Sequence, residues 1–184
     1  MRALRAIPAV IAALLITTLA PAAANAAPRA GCQEIFPPFA QRWNEKPWAY
    51  GCAIAPVAAT ADGSYQNFER GQMVSSPRHG LVISGFWSHY WDSSGMHYRI
   101  DFQWGHRYRY DLWQIQLHRD NTSYQGQWEC FPNDGLCSST GGIFGFYYLI
   151  EPGHSYQFRV RGCYPLPSGR HCPEGLTIPV WLWF

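Results

Sequence analysis

Seven histidines, a scatter of carboxylates and six cysteines are the side chains here whose types could do chemistry. His79, His89, His97, His106, His118, His154 and His171 have the donor atoms for a transition metal. None of them stands at H-x-x-x-H or H-E-x-x-H spacing, so solvated surface histidine is the expectation. His89 and His97, either side of Asp92, come nearest to a cluster. Hydrolysis lacks a signature too: there is no G-x-S-x-G elbow, and Ser94-Gly95 reads as a turn. Asp92, Asp101, Asp111 and Glu129 could serve glycoside hydrolysis only as a pair at a fixed separation, which sequence does not supply. Cys32, Cys52, Cys130, Cys137, Cys163 and Cys172 include no C-x-x-C pair, which argues against zinc. Paired as disulfides they leave no thiol nucleophile. The reading is a non-enzyme with no metal and no cofactor.

Aromatic rings are the remaining signal, with 9 Trp, 11 Tyr and 10 Phe in 184 residues. Alternation assigns Trp104, Trp113, Tyr156 and Phe158 to a core. Trp87, Tyr90 and Trp91 precede the first clear strand, Tyr108 and Tyr110 alternate with Arg107 and Arg109, and Trp181 and Trp183 lie opposite Val180 and Leu182. One sheet face cannot bury both sets. The second set meets either the N-terminal part of the same chain or a ligand, because rings give large contact area at low entropic cost. Trp87, Trp91, Tyr108, Tyr110, Tyr164 and Trp183 are the candidate contacts, with a glycan or another protein as partner.

The elements that must hold these rings begin after an export signal. Arg2 and Arg5 precede an apolar run from Ala6 to Leu19, and Ala24-Asn25-Ala26 presents small residues for cleavage, so residues 1–26 read as a signal peptide. The run is short of a bilayer span and is bracketed by Pro8 and Pro21, which excludes a lasting membrane anchor from the reading. Cleavage leaves 12 basic against 12 acidic residues, and that balance argues against a nucleic-acid partner. An even cysteine count in an exported chain predicts three disulfides. Their order suggests Cys32–Cys52, Cys130–Cys137 and Cys163–Cys172, although six cysteines permit many connectivities.

Two textures follow. Residues 27–86 are rich in Gly, Pro and Ala, with a short helix expected within Glu34–Trp48 that ends before Pro47. Ala61-Asp62-Gly63-Ser64 reads as a tight turn, and Tyr65–Phe68 with Gln72–Ser75 as a hairpin. Phe68, Gly71, Ser76, Pro77 and Gly80 fit the LGFP repeat of secreted and envelope proteins of actinobacteria, which about residues 43–85 resemble. Ala53-Ile54 stands where the naming Leu-Gly would be, and Ser75 where a Trp is usual. The resemblance implies association with an envelope or glycan.

From Trp87 the pattern turns to clean alternation. Tyr98, Ile100, Phe102 and Trp104 oppose His97, Arg99, Asp101 and Gln103; Trp113, Ile115 and Leu117 repeat it; so do Tyr156, Phe158 and Val160. Ile178, Val180 and Leu182 form the last strand. Short strands parted by turn residues suggest a sandwich or barrel. Ile150-Glu151-Pro152-Gly153-His154-Ser155-Tyr156 resembles the tyrosine corner of fibronectin type III domains, with Trp104 in the place of their core Trp. The resemblance covers residues 87–184 and implies an immunoglobulin-like β-sandwich in which Tyr156 is a structural residue.

The expectation is thus a mostly β chain: a Cys-stapled N-terminal module, residues 27–86, on a fibronectin type III-like sandwich, residues 87–184. Its expected role is a secreted, non-catalytic module, associated with the cell wall or free outside the cell, whose exposed aromatics contact an envelope glycan or extracellular polysaccharide. A secreted inhibitor or adhesin that presents the Cys163–Cys172 hairpin to a protein is the alternative, and a small hydrolase is a more distant one.

Overall fold

In the computed structural model, residues 31–105, 110–121, 123–131, 138–140 and 143–184 are described. The signal segment, Tyr108 and Cys137, with the Cys130–Cys137 pairing, lie outside them. The chain opens with helix α1 (Pro37–Glu45) and a single turn, α2 (Pro47–Tyr50). Pro47 ends the first and begins the second, because proline disfavours helix before it yet fits a first helical position, where no N–H is needed.

Among the described residues twelve strands follow: β1 (Ala58–Thr60), β2 (Gly63–Phe68), β3 (Gly71–Ser76), β4 (Leu81–Asp92), β5 (Gly95–Trp104), β6 (Leu112–Arg119), β7 (Ser123–Cys130), β8 (Ser138–Thr140), β9 (Ile143–Ile150), β10 (Ser155–Leu166), β11 (Gly169–His171) and β12 (Val180–Trp183). A short 3-10 turn, η1 (Pro77–His79), joins β3 to β4. All pairings are antiparallel. One sheet runs β1-β2-β3-β4-β5-β9-β8; the other runs β11-β10-β6-β7, with β12 also paired to β10.

The two sheets pack face to face. Phe102 of β5 stacks on Phe158 of β10 with centroids 3.9 Å apart, and Trp104 meets Trp113 edge-on at 6.3 Å. The alternation read from β5, β6 and β10 places these side chains inward. Tyr156 is 1% exposed, and its hydroxyl oxygen accepts the Glu151 backbone N–H at 3.0 Å, so the phenol ties the β9–β10 turn to the core beneath.

A second core lies on the opposite face of the larger sheet. Phe39, Ala49, Tyr50 and Ala53 cover Phe68, Met73 and Phe86. Strand β3 is therefore buried on both sides, with Val74 in one core and Met73 in the other. The expected boundary between residues 86 and 87 falls inside β4. That strand pairs with β3 over Leu81–Phe86 and with β5 over Ile83–Asp92, so one hydrogen-bonded sheet spans both expected modules.

Disulfides join Cys32 to Cys52 and Cys163 to Cys172, none of the described cysteines is free, and such bonds belong to an oxidising environment. The second closes the β10–β11 hairpin, in which Tyr164 pairs with His171 and Leu166 with Gly169. Among the described residues, no helix is long and apolar enough to cross a membrane.

Candidate functional site

Strand β12 is short, and period-two alternation divides its residues. Val180 and Leu182 are buried, whereas Trp181 and Trp183 face outward. Leu182 reaches β4 because residue 85 is glycine: a Cβ there would come within 2.8 Å of Leu182 Cδ1. One edge of β12 pairs with β10, from Ser155–Trp183 to Phe158–Val180. The other edge faces β3 and is held by a side chain. Gln72, 2% exposed, accepts the Trp181 backbone N–H on Oε1 at 2.7 Å and donates from Nε2 to Asn67 Oδ1 at 2.8 Å.

Along this seam lies an open groove of about 200 Å³, lined among others by Ile54, Asn67, Glu69, Trp87, Trp181 and Trp183. Each wall is fixed. The Trp181 and Trp183 indoles stack at 6.2 Å with planes 15° apart, and Trp183 is 62% exposed. Trp87 packs edge-on against Phe184 at 5.1 Å, and its N–H donates to the Arg70 carbonyl at 2.9 Å. Arg70 in turn donates to the carbonyls of Ala49 and Trp48. Glu69 accepts the Cys52 N–H at 3.1 Å, and Ile54 donates its N–H to the Asn67 carbonyl at 3.0 Å, so the disulfide-linked segment forms the far wall.

Of the six candidate contacts, Trp87 and Trp183 meet in this groove. Trp91 is 71% exposed but stands four positions further along β4, roughly 13 Å away at strand rise. Tyr108 lies outside the described residues. Tyr110 requires a correction, because it is 5% exposed and belongs to the sandwich core rather than to a contact surface. Its ring occupies the space above Gly162, where any Cβ would overlap it, and packs edge-on against Trp113 at 5.2 Å. Tyr164 is half-buried against Tyr110, with centroids 5.3 Å apart. Asn67, Glu69 and Ile54 escaped the sequence reading. Only the tertiary approach of β12 to the β2–β3 hairpin brings them to the tryptophans.

Several of the residues considered for chemistry are engaged elsewhere. His97 and Asp92 do meet, at 3.0 Å, with Ser94 Oγ at 2.6 Å from the same carboxylate oxygen. A serine relay needs the carboxylate and the hydroxyl on different ring nitrogens. Here both contact Nε2 of His97, so the trio closes a turn. His89 is absent from it and packs on Tyr98. Hydrogen bonds from Ser94 hold Asp92 below the usual carboxylate range, and bonds from Arg170 and Gln114 do the same for Glu129. Asp101 is salt-bridged to Arg99 at 3.0 Å.

No family model, no curated protein and no solved structure matches the chain.

Proposed function

We propose that this protein is a secreted, non-catalytic module that binds a carbohydrate polymer along the Trp87–Trp181–Trp183 groove. The observation that carries the reading is the near-parallel Trp181–Trp183 pair, half-buried at Trp181 and exposed at Trp183, beside a groove with a polar edge at Asn67. Flat apolar faces of sugar rings suit stacking on indoles, and the interleaved amide supplies orientation. The rigid walls also favour binding, since little side-chain entropy remains to be lost. Hydrogen bonds hold Asp92 and Glu129 toward the ionised form, which suits neither to the role of proton donor.

The scaffold on this reading is a fibronectin type III-like sandwich. Strand orders β4-β5-β9 and β7-β6-β10-β12, together with the Glu151–Tyr156 bond, support it. The LGFP-like stretch is the β2–β3 hairpin that walls the groove, in keeping with an envelope-associated role.

Polysaccharide pull-down tests the reading. The double variant Trp181→Ala/Trp183→Ala should lose retention while its melting curve stays cooperative, and Trp91→Ala should be retained like the wild type. Full retention of the double variant rejects the groove. A protein partner is the second reading, favoured by Leu166, which is exposed at the tip of the disulfide-closed hairpin. Replacing Tyr164–His171 with a short turn would abolish that activity and spare glycan binding.

A further inference from the structure

Another cavity, about 190 Å³, opens at the other end of the same seam. Its lining includes Asp62, Arg78, His79, Arg159, Thr177 and Pro179. Whereas the tryptophan groove lies between residues 67–71 and 181–183, this one lies between 62–79 and 176–179, so the segment before and within β12 borders both. The register of β10 sets their common face. Gln157 pairs with Trp181 and Phe158 with Val180; Phe158 and Val160 point into the core, so Arg159 faces outward on the same side as Trp181.

The cavity is built. His79 is buried, with Nδ1 2.9 Å from Ser76 Oγ and Nε2 at 3.1 and 3.2 Å from the carbonyls of Glu174 and Gly175. An imidazole nitrogen facing two carbonyls carries its hydrogen, so both nitrogens are spent holding the 174–175 turn to η1. His79 is therefore a positioning residue. Arg159 differs: its Nε is buried with no hydrogen-bond partner among the described residues. Neighbouring arginines on that sheet do have partners, Gln114 for Arg161 and Glu129 for Arg170. The Arg159 guanidinium is thus without a hydrogen-bonded counterion among the described residues, and its charge is open to compensation by an anion in the cavity. Arg78, on η1, adds a second positive charge, so two guanidinium groups share the cavity lining with one carboxylate, Asp62.

We infer that the polymer bound at the tryptophans is acidic, with one anionic group, a carboxylate or a sulfate or phosphate ester, seated on Arg159 and Arg78. The inference rests on the groove reading above. Strand positions two apart are about 6.6 Å apart, so Pro179 lies roughly 13 Å from Trp183. One saccharide chain can span that distance, stacking at one end and ion-pairing at the other. Arginine suits the second task because its planar fork matches a carboxylate or ester oxyanion.

The test compares each acidic polymer with its neutral counterpart: polygalacturonate against its carboxyl-reduced form, and dextran sulfate against dextran, by affinity electrophoresis of the mature chain. The wild type should bind at least one acidic member about tenfold or more tighter. Which pair shows the preference separates carboxylate from ester. Arg159→Gln/Arg78→Gln should bring the acidic form down to the neutral level, and Trp181→Ala/Trp183→Ala should weaken both forms. Arg119→Gln removes a charge at the far end of β6 and should leave the preference intact; an equal loss there means diffuse attraction and overturns the site. Equal wild-type affinity for acidic and neutral forms also overturns it while sparing the groove. Binding to no polymer rejects both.

Discussion

The backbone N–H of Trp181 donates to Oε1 of Gln72 at 2.7 Å, across 109 positions of sequence. Among the described residues β12 has a strand neighbour on one side only, and on the other this side chain does a strand's work. Replacing Gln72 with Leu keeps the volume but leaves the Trp181 donor and the Asn67 amide without this partner. The expected cost is about 1–3 kcal/mol, read as a lower urea midpoint at unchanged slope. Polymer retention should fall with it, and an unaltered midpoint would show that β12 is anchored some other way.

Tyr156 separates its hydroxyl from its ring. Tyr156→Phe removes the acceptor for the Glu151 N–H and the hydroxyl's contact with Arg119 but keeps the ring, so about 1 kcal/mol should be lost. Tyr156→Ala empties a core position and should cost about 3–5 kcal/mol. Denaturation curves of equal midpoint for the two variants would contradict the assigned role of the ring.

Tyr50 makes stability fall in alkali. Burial between α2 and the sheet pushes its phenol up to about 12, outweighing the hydrogen bond its hydroxyl donates to Ser84 at 2.8 Å. The folded chain thus holds this proton where an unfolded chain, with the ordinary value of 10.0, releases it. Proton binding is greater in the folded state between those values, so this contribution is intact below pH 10 and declines as pH rises through about 12. Tyr50→Phe should flatten that decline in thermal melts taken from pH 9 upward; an equally steep fall would assign it to another group.

The Cys163–Cys172 bond closes a loop with a sequence separation of 9. Cys163→Ser/Cys172→Ser should lower stability by about 2–3 kcal/mol in the chain-entropy model. Because the hairpin it closes is remote from the tryptophans, glycan retention below the new melting point should be unaffected. Loss of retention there would tie the hairpin to the site.

Legibility in the sequence followed burial geometry. Strands β5, β6 and β10 each bury one face, and their period of two could be read directly. Strand β4 could not, since Leu81, Ile83, Ser84, Gly85 and Phe86 are all buried, between the sandwich on one side and the helical cover on the other. A strand enclosed on both faces has no alternation to show. For the same reason the division at residue 86 looked natural. Of the site, the outward tryptophans of β12 were visible from Val180 and Leu182, but Gln72, Asn67 and Arg159 were not. Their importance comes from the strand that happens to lie against them, and local pattern carries no trace of it. Tyr110 misled because its burial depends on a glycine at residue 162, far along the chain.

Continuity through β4 bears on how such a protein can be divided. A cut at residue 86 severs a strand that serves both cores and takes Gln72 away from β12, so the later half would carry a bare β4 edge and a Trp181 N–H without its acceptor.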